Sequence, residues 1–375
     1  PALLQLAQDE AIDLTVIGPE APLVAGVVDE FTAAGLRCFG PTALGARLEG
    51  SKAYTKDFLV RDNLPTAGYE NFTDIDAALA YVETCSIPTV VKADGLAAGK
   101  GVIIAHTREE AADAVRLVMG DKAFGDAGNV CVIEDFLEGE EASFMALIDG
   151  DTILPLATSQ DHKARDAGDK GPNTGGMGAY SPAPVIDAAM AERVMDEVMR
   201  PTVAGLKQDG EKYVGFLYAG LMIGADGVPK VLEFNCRMGD PETQPILFRL
   251  KTDLVDLIEA ALDGKLDTTT ADWDERPTLG VVLAAGGYPE SYNKGDAISG
   301  LDADADDPDL KIFHAGTAEQ DGDIVTAGGR VLCAVALGDS VADAQAKAYG
   351  LVDKICWDNV YCRRDIGYRA VARES

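Results

Sequence analysis

Two short β-branched runs, residues 89–92 and 102–105, flank a loop that contains Asp94, Gly95, Gly99, Lys100 and Gly101, with Lys92 at the end of the first run. Strand, glycine-rich turn and strand in that order predict a hairpin. Its glycines let backbone N–H groups approach phosphate oxygens without a side chain in the way, and its lysines supply the opposite charge. The loop is not a P-loop. Only three residues separate Gly95 from Gly99, and Lys100 is followed by Gly101 rather than Ser or Thr. A P-loop also opens a helix, whereas this loop opens a strand. The plainer alternative is an ordinary flexible turn; two lysines in a chain of net charge −31 favour phosphate contact.

Around that hairpin the pattern changes along the chain. In the first fifty residues helix and strand alternate: Leu3, Leu4 and Ala7 share a helical face, and residues 14–17 form a short buried strand. A second helix, 21–34, carries Val24, Val27, Val28 and Phe31 on one side, and Gly35 closes it before a strand at 37–39. Such a βαβ rhythm predicts a parallel sheet. Beyond residue 51 come a helix bearing Ile75, Leu79 and Val82 and another after Thr107, with Glu110 as the partner in a capping box. Hairpins follow around Asp149-Gly150 and Asp226-Gly227. A polar run from Asp263 to Asp274 reads as a boundary, and the remainder is β-rich with a helix near 341–352. The expected architecture is a multidomain α/β and α+β protein. It comprises a partial N-terminal parallel α/β domain (1–50), a central domain (51–265) with a lid subdomain at about 66–135, and a β-rich C-terminal domain (266–375).

Composition removes several classes. No apolar run reaches bilayer length. The acidic excess repels polyanions and reads as a heavily solvated surface. Seven cysteines, an odd number with no Cys-x-x-Cys pair, fit reduced thiols in the cytoplasm. Three histidines lack metal-ligand spacing, which argues against zinc. No signal peptide is evident, and a helix at Pro1-Ala2-Leu3-Leu4 feeding a strand reads as a fold entered midway, as in a fragment.

Three further segments carry chemistry. On a strand, Glu233, Asn235 and Arg237 alternate onto one face, with Leu232, Phe234 and Cys236 on the other. A carboxylate and an amide are hard oxygen donors suited to magnesium, and an arginine beside them neutralises a transferring phosphoryl group. A solvated face with a Glu–Arg pair is the plainer reading; the rigid polar turn Gly239-Asp240-Pro241-Glu242 tips the balance. Glu134, Phe136, Leu137 and Glu141 combine apolar walls with carboxylates, as an adenine ring and a ribose diol require, though alone this signal is weak. Asp161, His162 and Lys163 begin a long polar stretch that reaches Asn173, Thr174, Gly175 and Gly176, the kind of loop that tends to be functional or disordered. His162 reads as a hydrogen-bonding bystander rather than a general base.

In family order, these segments resemble the phosphoribosylamine–glycine ligases, a family of the ATP-grasp superfamily. The resemblance also runs through Gly18-Pro19-Glu20, Gly50-Ser51-Lys52 with Thr55-Lys56, and residues 284–289, 313–317 and 328–331, so it covers essentially the whole chain. It implies an ATP-grasp fold that uses ATP and Mg2+ or Mn2+. Lys52 and Lys92 would contact ATP phosphates under a mobile loop containing Asp94, Gly95, Gly99, Lys100 and Gly101. Glu134, Phe136 and Leu137 would line the adenine site, Glu141 would meet the ribose, and Glu233 with Asn235 would hold metal. Gly18, Pro19, Glu20, Asp161, Lys163, Asn173, Thr174, Gly175, Gly176, Arg237 and Asp240 would surround the substrates, with Arg237, Lys100 and Asp161 catalytic. The implied reaction joins glycine to 5-phosphoribosylamine through glycyl phosphate in purine biosynthesis. The implied protein is cytoplasmic, a monomer or weak homo-oligomer, with no nucleic-acid or membrane partner. Its rivals are an ATP-grasp ligase for another acid or amine, and a nucleotide-binding regulatory module without turnover. Two departures stand out. The family's first strand and Gly-rich loop lie upstream of Pro1, and residues 218–223 offer no acid to a metal.

Overall fold

The computed structural model describes residues 1–96 and 101–374. The chain forms two compact units: Pro1–Leu156 with Val185–Met238 and Leu254–Thr270, and Ala157–Pro184 with Gly239–Asp253 and Ala271–Ser375.

In the first unit, Thr15–Val16 and Cys38–Phe39 pair in parallel, as the βαβ rhythm predicts. The single helix expected at 21–34 is instead two, Glu20–Val24 and Val27–Ala33. Gly26 separates them at φ +81°, a left-handed conformation open to glycine, and its N–H closes a turn on the Leu23 carbonyl at 3.0 Å. Leu23, Val28 and Phe31 are all buried. Val24 and Val27, expected on the same face, are only half-buried, so apolar spacing indicated the buried face in part and did not indicate the break.

An antiparallel sheet follows, with strands in the order Tyr69–Phe72, Cys131–Asp135, Thr89–Ala93, Val102–Ala105. Helices Ile75–Val82 and Arg108–Val115 supply Ala78, Val82, Ala111 and Val115 to a core with Val91 and Ile133. The Thr107–Glu110 capping box is present. A second antiparallel sheet runs Pro229–Asn235, Val214–Ile223, Glu140–Asp149, Ile153–Pro155, and Gly150 and Gly227 take positive φ in its two Asp-Gly turns. Its register slips once. Gly220 lies opposite Glu233 and Leu221 opposite Val231, so Leu232 is a bulged extra residue. This corrects the expected alternation: Val231, not Leu232, is buried along with Phe234 and Cys236.

The second unit is built on a five-stranded antiparallel sheet, ordered Leu310–His314, Arg330–Leu337, Thr278–Ala284, Gly178–Ser181, Gln160–Asp161. Helix Val341–Val352, capped by the Ser340 hydroxyl, packs Ala344, Ala348 and Leu351 into its core. No helix among the described residues is long and apolar enough to cross a membrane. The seven cysteines are free thiols, five of them buried.

His162 is buried in this unit, where its Nε2 accepts the Gly367 N–H at 3.1 Å. Burial, reinforced by the Arg363 charge, depresses its pKa from 6.5 to about 4. The unfolded chain therefore takes up this proton first as the pH falls, so the stabilisation is complete above 6.5 and is lost on descent toward 4. In urea unfolding at pH 7.5 and pH 5.0, His162→Gln, which keeps an acceptor for Gly367, is expected to narrow the stability difference; an unchanged difference would show that another group titrates there.

Candidate active site

Glu134 is a carboxylate held between two ammonium groups. Its Oε1 lies 2.6 Å from Lys92 Nζ and its Oε2 lies 2.8 Å from Lys56 Nζ, with the three side chains 3%, 8% and 3% exposed respectively. Lys56 also donates to Thr66 Oγ1 at 2.8 Å, and that hydroxyl donates to the Val231 carbonyl at 2.8 Å. Lys92 donates to the carbonyl of Leu232, the bulged residue, at 3.3 Å. The bulge, which interrupts the ladder, thus ties the hairpin lysine to the strand that carries Glu233. Burial lowers Lys56 to about 8, with Glu134 opposing the shift and Lys92 adding to it. Two cations therefore share one carboxylate.

Lys52 opens helix Lys52–Arg61 and donates to the carbonyl of Gly95 at 2.8 Å. Asp94 accepts from the Ser51 hydroxyl and the Ala53 N–H, each at 3.0 Å, so the carboxylate caps the same helix from the hairpin. Burial lowers the Lys52 pKa; Glu233, Asp94 and Glu49 oppose that shift, and Lys92 reinforces it. Lys52, Lys92, Asp94, Glu49 and Glu233 therefore occupy one electrostatic neighbourhood, although they come from three separate stretches of the sequence.

Arg237 stands just past strand Pro229–Asn235. Its Nη2 lies 2.8 Å from Glu49 Oε1, and its Nε lies 3.5 Å from Glu20 Oε2. Glu49 Oε2 accepts the Cys236 N–H at 2.7 Å. Burial pushes Glu49 up to about 7 against the pull of Arg237. Asn235 is buried opposite Tyr218 on strand Val214–Ile223, which carries no acid, and the Tyr218 and Ser143 hydroxyls hydrogen-bond at 2.9 Å. Among the described residues no group of three His, Cys, Asp or Glu side chains is placed to hold a metal. Glu233 and Asn235 fit an ion that takes its remaining ligands from phosphate oxygens, which is how Mg2+ is commonly bound.

Other predicted positions are also placed. Pro19 precedes helix Glu20–Val24, with Gly18 exposed before it. Phe136 and Leu137 are half-buried where the chain leaves the first sheet for the second, and Glu141 lies on strand Glu140–Asp149 opposite Met222. The Gly101 carbonyl accepts the Ala93 N–H at 2.8 Å. Gly99 and Lys100 lie outside the described residues.

In the second unit, the Lys163 carbonyl accepts both the N–H and the hydroxyl of Thr174 at 2.8 Å, and Asp161 pairs with Ala179. Asn173 ends the exposed strand Lys170–Asn173. Arg330 donates to the carbonyls of Gly175 and Asp240, each at 2.8 Å, and pairs with the Asp240 carboxylate at 2.7 Å. A Cβ on Gly175 would stand 2.8 Å from the Arg330 guanidinium carbon, and one on Gly176 (φ +113°) would stand 2.3 Å from Pro241. Gly176 is therefore required by its backbone and by the proline packed on it, whereas at Gly175 the end of the Arg330 side chain would have to give way.

Sequence reasoning assigned no role to Lys56, Glu49 or Arg330, although Lys56 and Arg330 lie in the runs that carry the resemblance. Glu49 had one local signal. It is an acid in the last turn of helix Ala43–Gly50, where the helix dipole disfavours negative charge, so it requires a partner from elsewhere.

Models of phosphoribosylglycinamide synthetase match the N domain at residues 1–49, the ATP-grasp (A) domain at 50–243 and the C domain at 278–369. The chain is 61% identical to the phosphoribosylamine–glycine ligase of Vibrio parahaemolyticus, over 99% of this chain and 86% of that protein. It is 60% identical to the Escherichia coli enzyme of the same name, over 100% of this chain and 87% of that protein. The crystal structure of phosphoribosylamine–glycine ligase from Thermotoga maritima has a TM-score of 0.81 at 36% identity, covering 90% of this chain and 84% of that one. A biotin carboxylase domain from Hydrogenobacter thermophilus, in complex with MgADP, shares the fold at 15% identity and TM-score 0.74, covering 96% of this chain and 78% of that one. The chain belongs to the phosphoribosylglycinamide synthetase family, with the ATP-grasp fold and the ligase chemistry that its segments imply.

Proposed function

We propose that the protein ligates glycine to 5-phosphoribosylamine with ATP, giving glycinamide ribonucleotide, ADP and phosphate, a step of purine biosynthesis. The observation that carries this reading is the gathering of Lys52, Lys92, Glu233 and Arg237, with Asn235, in the first unit; the names of the relatives agree with it.

A carboxylate is a poor electrophile and must first gain a leaving group. A glycine carboxylate oxygen attacks the γ-phosphorus, and the bond from phosphorus to the ADP oxygen breaks. The amine nitrogen then attacks the acyl carbon, the bond to phosphate oxygen breaks, and the amine loses a proton. Lys52 and Lys92 bind phosphate oxygens, and Glu134, 2.6 Å from Lys92 Nζ, holds that side chain in place. Phe136 and Leu137 wall the adenine, and Glu141 accepts from the ribose. Arg237 neutralises charge on the transferring phosphoryl group, a task of positioning and electrostatics rather than of covalent chemistry. Glu233 and Asn235 would hold Mg2+ or Mn2+, which supplies further neutralisation of the phosphates. Gly18, Pro19 and Glu20 in the first unit, and Asp161, Lys163, Asn173, Thr174, Gly175, Gly176 and Asp240 in the second, are assigned to the substrates. Gly95, Gly99, Lys100 and Gly101 are assigned to the loop over the phosphates. The reading places the enzyme in the cytoplasm as a monomer or weak homo-oligomer without nucleic-acid or membrane partners.

Phosphate release with ATP and phosphoribosylamine, assayed across amino acids, is expected to be fastest with glycine; a faster amino acid would overturn the substrate assignment. Glu233→Gln is expected to lower kcat by on the order of 100-fold, the size of effect seen when one transition-state contact is removed. Binding of an ATP analogue should fall far less, and equal losses would count against the assigned role. Glu134→Gln leaves two buried ammonium groups without their carboxylate, and urea unfolding should show a loss of about 3–5 kcal/mol. The same variant should raise KM for ATP in initial-rate assays.

A further inference from the structure

We propose that Glu49 is a positioning residue for Arg237, joining the guanidinium to the backbone just past strand Pro229–Asn235 so that its charge is already in place when the phosphoryl group transfers. The proposal rests on the reading of Arg237 given above and names what makes that reading work.

The geometry is specific. One carboxylate oxygen takes Arg237 Nη2 at 2.8 Å, and the other takes the Cys236 N–H at 2.7 Å. A single side chain thus holds both the head of Arg237 and the backbone N–H of the residue before it. Glu49 is 7% exposed and Arg237 22%, so the pair is shielded while the arginine keeps an open side. The other carboxylate near the guanidinium, Glu20, is more distant at 3.5 Å and is 32% exposed. Glu49 gains nothing from its own helix, because a negative charge near a helix C-terminus is disfavoured. Its burial is also opposed by desolvation and by the nearby charges of Glu20 and Glu233. An acid kept where its helix and its solvation both disfavour it is explained by its two contacts. An arginine on a long flexible stem contributes to a transition state only when its orientation is set beforehand.

A purely structural role, as an acceptor for Cys236, is the alternative. Glu49→Gln separates the two, because its amide oxygen still accepts the Cys236 N–H while its amide NH2 offers the guanidinium no acceptor. Steady-state kcat and KM are to be measured for Glu49→Gln, Arg237→Ala and the double variant, with thermal unfolding and ATP-analogue binding as checks of the fold. The expected result for Glu49→Gln is a loss of kcat of at least about tenfold, with KM for ATP changed less than about threefold. In the Arg237→Ala background the same change should cost less than about twofold, since residues acting as one unit are not additive. Glu49→Asp, which keeps the charge on a shorter stem, should retain more kcat than Glu49→Gln, and it supplies the comparison with wild type if Glu49→Gln does not fold. Independent, multiplying losses in the double variant would overturn the proposal, as would an unaltered kcat in Glu49→Gln. If Arg237→Ala keeps full kcat, the role given to Arg237 falls, and the proposal falls with it.

Discussion

One carboxylate between two buried ammonium groups organises the candidate site. Lys56 comes from a helix, Lys92 from a hairpin strand and Glu134 from the neighbouring strand, and none of the three tolerates burial alone. Removing charges from water is costly, so the three elements must converge closely enough for the attraction to offset the desolvation. The contact reaches further through the Thr66 hydroxyl and the Leu232 carbonyl, which tie this sheet to the strand bearing Glu233. Two cations thus share one anion within a chain of net charge −31.

Irregular backbone does the aiming. Were strand Pro229–Asn235 regular, Val231 would share a face with Glu233; the extra residue at Leu232 returns Val231 to the core and leaves a carbonyl for Lys92. In the second unit Gly176, at φ +113°, lacks a side chain because Pro241 occupies the space a Cβ would need, and the Arg330 guanidinium packs on Gly175 beside it. In both places a local departure from regular structure is held by a partner distant in sequence, as is common where binding groups must be presented.

Much of the fold was legible wherever the cause is local. The Thr107–Glu110 capping box, the two Asp-Gly turns and helix Val341–Val352 each depend on residues within one or two turns of each other. The break at Gly26 was not legible, because apolar spacing continues across it and glycine is compatible with either outcome. Nor were Glu49 and the full commitment of Glu134, whose partners lie in other elements. Asp94 shows the intermediate case. Its loop was recognised from glycines and lysines, yet its carboxylate is engaged in capping the helix that begins at Lys52.

By itself the sequence determined the inventory: which side chains carry hard oxygen donors, which carry charge, and which runs form strands. Those are properties of residue type and near-neighbour spacing, and they survive without knowledge of the fold. Tertiary structure alone decided how the charges are shared, because Coulomb energy and desolvation depend on distances between groups far apart in the chain. That is why Glu134 serves two lysines, why Glu49 and not Glu20 grips Arg237 most closely, and why Lys52 and Glu233 belong to one site.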